Sequence, residues 1–183
     1  VTVRIPDPSL VVLCGPAASG KSTFARRHFP PTAVVSSDRC RAMIADDEAN
    51  IRVSRDAFEL FYHIIALRLR HRRLTVADST ALQPDVRRTL RQLARRWEVP
   101  AVVLLFDVPE QTCVRWDSAR PRRVGRPVIH RQWERFQQVL RSVPGEGFDQ
   151  VVVLGEEDVR SCRLELVPSP ARAREAAAEP AEG

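Results

Sequence analysis

Lysine is almost absent from this chain: of 29 lysines and arginines, only Lys21 is a lysine. Cysteine is sparse as well. Cys14, Cys40, Cys113 and Cys162 lie far apart with no C-x-x-C pair, which excludes a zinc-ribbon pattern and a disulfide framework and favours a reducing cytosol. Long apolar runs are also missing. The longest, Ala101 to Phe106, is far too short to span a bilayer. No secretory signal is read before the first strand, so a cytoplasmic location without a membrane partner is expected. No internal repeat is present. The 183 residues, 44% apolar and 28% charged, suit one soluble domain with a continuous core.

The single lysine sits in an informative place. It lies next to last in the stretch Gly15-Pro16-Ala17-Ala18-Ser19-Gly20-Lys21-Ser22, which directly follows the apolar run Leu10 to Cys14. A short β-branched run suits a buried parallel strand. Gly15 and Gly20 permit a tight turn whose N–H groups, through Ala17, Ala18 and Ser19, cradle phosphate oxygens. A helix starting near Lys21 puts its positive end under the same phosphates, with Ser22 and Thr23 in its first turn. Lys21 then reaches the β and γ phosphates of a nucleotide, and the Ser22 hydroxyl ligates Mg²⁺. An arginine-rich chain has kept lysine where a compact ammonium fits between two phosphates.

The remaining chain alternates strands with helices. Residues 1–9 read as an extended lead-in. Helices are expected over about 21–28, 54–73, 84–97, 110–120 and 128–141, and strands over 10–14, 33–36, 74–78, 101–107 and 150–154. That alternation predicts an α/β fold: a parallel sheet of about five strands with helices on both faces. Residues 1–155 are expected to form the P-loop kinase domain. Its arginine-rich helical lid spans about 110–142. The segment 156–183 is expected to be an acidic, Pro/Ala-rich tail, partly disordered. That tail carries seven acids against four arginines, so the net charge of +6 leaves +9 on the body. A basic body favours polyanionic partners, although a solvated arginine-rich surface has the same composition.

Phosphoryl transfer needs positioned phosphates, neutralised oxygens and an aligned acceptor. Asp38, at the carboxyl end of the second strand, is placed to accept a proton from an attacking hydroxyl. Arg41, one helical turn on, is placed to hold an acceptor phosphate. A helix N-terminal Asp with an exposed Arg has the same spacing. Asp78 ends an apolar run and reads either as a Walker-B carboxylate or as a turn residue. Arg115, Arg120, Arg122, Arg123 and Arg126 cluster in the lid against a single acid, Asp117.

The segments Leu10 to Phe29, Val35 to Arg41 (VSSDRCR), Asp46-Asp47-Glu48, Leu74 to Thr80 and Phe106 to Cys113 together resemble the 5′-kinase module of bacterial polynucleotide kinase-phosphatase, an end-healing enzyme of RNA repair. The resemblance spans about Ile5 to Leu154. It implies ATP-dependent phosphorylation of the 5′-hydroxyl end of RNA or DNA with Mg²⁺ or Mn²⁺. Asp38 would be the general base, and Arg41 would engage acceptor and phosphate. Arg120, with Arg123 nearby, would grip the ATP phosphates. The family usually carries an arginine where this chain has Trp116, so either Arg115 or one of Arg122 to Arg126 compensates, or the lid grips ATP more weakly. Phosphatase and ligase modules accompany that kinase, on the same or another chain. Two other classes fit the residues. One is a small-molecule kinase of the same fold, using ATP or another NTP. The other is a nucleotide-binding regulatory module without transfer activity.

Overall fold

The apolar runs pair side by side in the computed structural model, which describes residues 1–169. Strands β1 (Thr2–Asp7), β2 (Leu10–Cys14), β3 (Val34–Ser36), β4 (Thr75–Asp78), β5 (Ala101–Asp107), β6 (Gln150–Gly155) and β7 (Arg163–Pro168) alternate with seven α-helices. These are α1 (Lys21–His28), α2 (Ser37–Ala45), α3 (Ser54–Arg70), α4 (Pro84–Arg96), α5 (Glu110–Ser118), α6 (Arg126–Ser142) and α7 (Glu156–Ser161). Five strands form one parallel sheet in the order β3-β4-β2-β5-β6, the expected α/β architecture. β2 is central and every residue in it is buried. A strand shielded on both faces reads as an unbroken apolar run, as Leu10 to Cys14 does.

Alternate residues of the sheet feed two cores. Leu10, Val12 and Cys14 face Phe61, Ile65, Leu90 and Phe136, contributed by α3, α4 and α6. Val11 and Leu13 face Phe24 and Ala25 of α1 and Cys113 of α5. Helix starts follow local chemistry. Pro84 occupies the first turn of α4, and the Ser36 hydroxyl accepts the Arg39 N–H at the start of α2, satisfying a donor with no partner inside the helix.

The ends of the chain depart from expectation. Residues 2–7, expected as an extended lead-in, form β1. They pair in parallel with β7, from Thr2 opposite Arg163 to Asp7 opposite Pro168. The segment after residue 155, expected as an acidic tail, supplies α7 and β7, and Val3, Ile5, Val159 and Cys162 are buried with the α1 side of the core. Only a partner distant in sequence reveals this two-stranded sheet, because neither strand is apolar enough alone. The rest of the expected tail, residues 170–183, lies outside the described residues.

One buried charge organises the loop after β4. Arg87 of α4 is 1% exposed. Its Nη1 donates to the carbonyls of Ala81 (2.8 Å) and Leu82 (3.0 Å), and its Nε and Nη2 make a two-pronged pair with Glu146 (2.9 and 2.6 Å). The Cys14 thiol also donates to the Ala81 carbonyl, at 3.4 Å. These contacts hold Ala81 at φ 49°, a left-handed conformation that a non-glycine residue adopts only when its surroundings impose it. Glu146→Ala strands the guanidinium without its carboxylate. It is expected to cost about 3–5 kcal/mol of stability, read from the denaturant midpoint at unchanged slope.

Candidate active site

The P-loop follows β2 and ends in α1 because Gly20 permits it. Gly20 has φ 89°, and a Cβ there would come within 2.8 Å of Val159 Cγ1 and 3.3 Å of Trp116 Cζ3. The turn therefore needs glycine for its backbone and for its neighbours. At Gly15 a Cβ would meet Phe106 Cβ at 2.9 Å, so this position is tightly packed against β5.

Within the loop Lys21 is 7% exposed. Its ammonium donates to the Gly15 carbonyl at 3.0 Å, the Pro16 carbonyl at 2.5 Å and Ser19 Oγ at 3.4 Å. Ser22 Oγ donates to Asp78 Oδ2 at 2.8 Å. Burial lowers the Lys21 pKa, against the attraction of Asp78. Burial also raises the Asp78 pKa, against Lys21 and the Ser22 hydrogen bond. Both groups are thus pushed toward their neutral forms, since lost hydration outweighs their mutual attraction. A polyanion or a divalent cation placed between them reverses that balance. Ser22 and Asp78 offer two hard oxygen donors at one point, the donor chemistry that suits Mg²⁺ or Mn²⁺.

Two cavities open on either side of this loop. The first, about 570 Å³, is lined by Ala18, Gly20 to Phe24, Arg26, Arg27, Trp116, Arg120, Pro121, Val159 and Arg160. Its wall is built by α7. Arg27 of α1 donates from Nη1 to the Arg160 carbonyl at 2.8 Å and from Nη2 to the Val159 carbonyl at 2.5 Å, and the Arg160 guanidinium lies 5.4 Å from the Trp116 ring centroid. The second cavity, about 390 Å³, is lined by Ala17, Ala18, Lys21, Ser22, Ser36 to Asp38, Arg41, Phe58, Asp78 to Gln83, Arg120, Arg122 and Gln132, among others. Lys21, Ser22, Ala18 and Arg120 line both cavities.

The second cavity unites Asp38 and Arg41. Arg41 Nη1 pairs with Asp38 Oδ1 at 2.7 Å, and the side chains are 17% and 57% exposed respectively. Arg41 is held in place by Ser54 Oγ, 3.2 Å from its Nε, and lies 5.9 Å from the Phe58 ring centroid. Other residues fall differently. Ser19 is buried beneath the loop, and Thr23 faces the first cavity, where its Oγ1 accepts from Arg26 at 3.2 Å. Arg123 is exposed and lines neither cavity. Arg115 turns to Glu156 at 3.2 Å, and Trp116 packs at Gly20. Arg122, like Arg120, reaches the second cavity from the loop between α5 and α6, and it pairs with Glu48 at 2.5 Å.

Three features escaped sequence reading. Asp117, seen only as the lone lid acid, is buried and accepts the N–H groups of Val124 (2.9 Å) and Gly125 (3.0 Å), which fixes the lid loop. Arg160 lay in the expected tail. Gln132 of α6 accepts the Ala17 N–H at 2.7 Å, and no spacing signals a contact across 115 residues.

The raised pKa of Asp78 makes a signed prediction. The folded protein holds the Asp78 proton more tightly than the unfolded chain, so this group's contribution is greatest at low pH and is lost as pH rises through its folded pKa. Asp78→Asn removes the titration. Its unfolding temperature relative to the parent should therefore move in the variant's favour as pH rises from about 4 to about 7. Parallel melting curves across that range would show that Asp78 is not desolvated.

Comparison with known proteins bears on the fold and the family. A family model described as an AAA domain matches residues 10–143. No curated protein matches the sequence significantly. Among solved structures the chain is similar to one in the Pnkp1/Rnl/Hen1 RNA repair complex, at 21% identity over 75% of this chain and 47% of that one, with TM-score 0.58. It is also similar to the gluconokinase of Sinorhizobium meliloti 1021, at 20% identity over 85% and 90%, with TM-score 0.54. The APS kinase CysC of Mycobacterium tuberculosis matches at 16% identity over 85% and 95%, with TM-score 0.52. At these identities the likeness concerns the fold: a P-loop α/β sheet flanked by helices. The family match covers well over half of the residues and includes the P-loop, β4 and the lid, and by it the chain belongs to the AAA domain family.

Proposed function

We propose that this protein is an ATP-dependent polynucleotide 5′-hydroxyl kinase. The observation that carries the reading is the pair of cavities meeting at Lys21, with Asp38 and Arg41 together on the far side of the P-loop from the Trp116–Arg160 pocket. Such a layout separates a donor from an acceptor and lets them meet across the loop, as in-line transfer requires.

In this reading the nucleoside lies against Trp116 and Arg160, and its phosphates cross Lys21 and the P-loop N–H groups other than that of Ala17, which Gln132 holds. Ser22 and Asp78 hold the divalent cation, which draws charge from the phosphate oxygens when bound. Asp38 takes the proton of the acceptor hydroxyl, whose oxygen forms the new bond to the γ-phosphorus. The bond to the β–γ bridging oxygen breaks, and ADP departs. Arg41, braced by Ser54 and Phe58, holds the acceptor's phosphodiester, and Arg120 spans both cavities over the transferring group. Arg122 adds positive charge on the acceptor side, away from the donor pocket where Trp116 stands.

Three considerations favour a polynucleotide. The body carries +9, the VSSDRCR segment resembles the RNA-repair kinase module, and a chain of an RNA repair complex is among the similar structures. Partner phosphatase and ligase modules belong to the same proposal. The gluconokinase and APS kinase likeness keeps a small-molecule acceptor as the competing reading.

Label transfer from γ-labelled ATP with Mg²⁺ to matched RNA and DNA oligonucleotides, bearing either a 5′-hydroxyl or a 5′-phosphate, tests this directly. Transfer confined to 5′-hydroxyl ends is expected. ATP binding without transfer to any oligonucleotide would reject the polynucleotide reading. Asp38→Ala and Lys21→Ala should each reduce transfer by about 10²-fold or more while cooperative unfolding persists. Near-parental turnover in either variant removes that residue's role.

A further inference from the structure

Gln132 reaches the P-loop from the lid, and its carboxamide is only half used. Oε1 accepts the Ala17 N–H at 2.7 Å. Nε2 carries two N–H donors and has no hydrogen-bond partner among the described residues. Position gives this meaning. Ala18, Lys21, Ser22 and Arg120 line both cavities, whereas Ala17 and Gln132 line only the acceptor cavity. Phosphates running from the first cavity across Lys21 therefore bring their terminal group out beside Ala17, facing Asp38. The Ala17 contact restrains the carboxamide from its oxygen end, and Gln132 lines the cavity where that group changes hands.

We propose that Gln132 is a catalytic residue that donates from Nε2 to an oxygen of the phosphoryl group during transfer. This rests on the phosphotransfer reading above, and not on the acceptor's identity. During transfer, charge spreads over the equatorial oxygens of the moving group, and a donor fixed beforehand lowers the barrier because it needs no reorganisation. Gln132 supplies such a donor without adding charge to a cavity already holding Lys21, Arg41, Arg120 and Arg122. A neutral amide also leaves Asp38, the proton acceptor, free of a further cationic competitor.

Two substitutions separate this role from simple anchoring of the loop. Gln132→Ala removes both contacts. Gln132→Glu keeps an acceptor for the Ala17 N–H and turns the donor half into an anion. Each is compared with the parent by kcat for transfer to an oligonucleotide, by the slow hydrolysis of ATP with water as acceptor, by calorimetric affinity for a non-hydrolysable ATP analogue, and by thermal unfolding. Both variants are expected to unfold cooperatively and to lose about 10²–10³-fold in kcat in both assays, and Gln132→Ala should bind the analogue within about threefold of the parent. Parental kcat in Gln132→Glu with a loss in Gln132→Ala would reduce Gln132 to a loop anchor and overturn the proposal. Tighter analogue binding with undiminished turnover in Gln132→Ala would make the contact a latch on the empty loop, and would also overturn it. Parental hydrolysis without transfer to an oligonucleotide refutes the polynucleotide reading alone, because the hydrolysis ratios still judge Gln132. A parent that neither transfers nor hydrolyses overturns both.

Discussion

The arrangement depends on one ammonium taken out of water. Lys21 is nearly fully buried and satisfied by two loop carbonyls and a serine hydroxyl, an arrangement costly for a point charge unless something stronger awaits it. Its lowered pKa and the raised pKa of Asp78 share one cause, desolvation of both groups. Phosphate and a divalent cation, the ligands that a P-loop implies, would supply counter-charges to both groups. The rest of the sheet serves to hold that loop still: β2 is buried throughout, and β5 packs so closely on Gly15 that no Cβ fits.

Arginine does a different job in this chain. Arg87, Arg41 and Arg27 each use a planar fork to hold two or more partners: Glu146 with the Ala81 and Leu82 carbonyls, Asp38 with Ser54, and the Val159 and Arg160 carbonyls. Guanidinium geometry makes such multi-point contacts possible, and an ammonium cannot reproduce them. The near-exclusive use of arginine is thus structural as well as electrostatic. It fixes the loop after β4 through Arg87, stands beside Asp38 in the second cavity through Arg41, and holds the α7 wall of the first cavity through Arg27.

Helix α6 links the two halves of the site. Gln132 near its start touches the P-loop, and Ser142 at its end donates to Glu146 at 3.2 Å, which in turn clamps Arg87 and the loop after β4. The lid loop before it is fixed from within by Asp117 and from outside by the Arg122–Glu48 pair. One helix therefore meets the P-loop directly and, through Glu146, the clamp on the loop after β4.

Local sequence determined the five-stranded parallel sheet, the start of α1 at Lys21 and the placing of Asp38 one turn before Arg41. Strand runs, helix starts and turn glycines are short-range properties, dictated by backbone sterics and by burial on both faces. Tertiary structure alone decided the pairing of β1 with β7, the α7 wall beside Trp116, the service of Arg122 rather than Arg115 at the cavity, and the Gln132–Ala17 contact. Each joins residues far apart in the chain, and most use polar side chains whose partners are chosen by distance and desolvation. No periodicity or motif encodes such choices, because they exist only once the fold has brought these distant segments together.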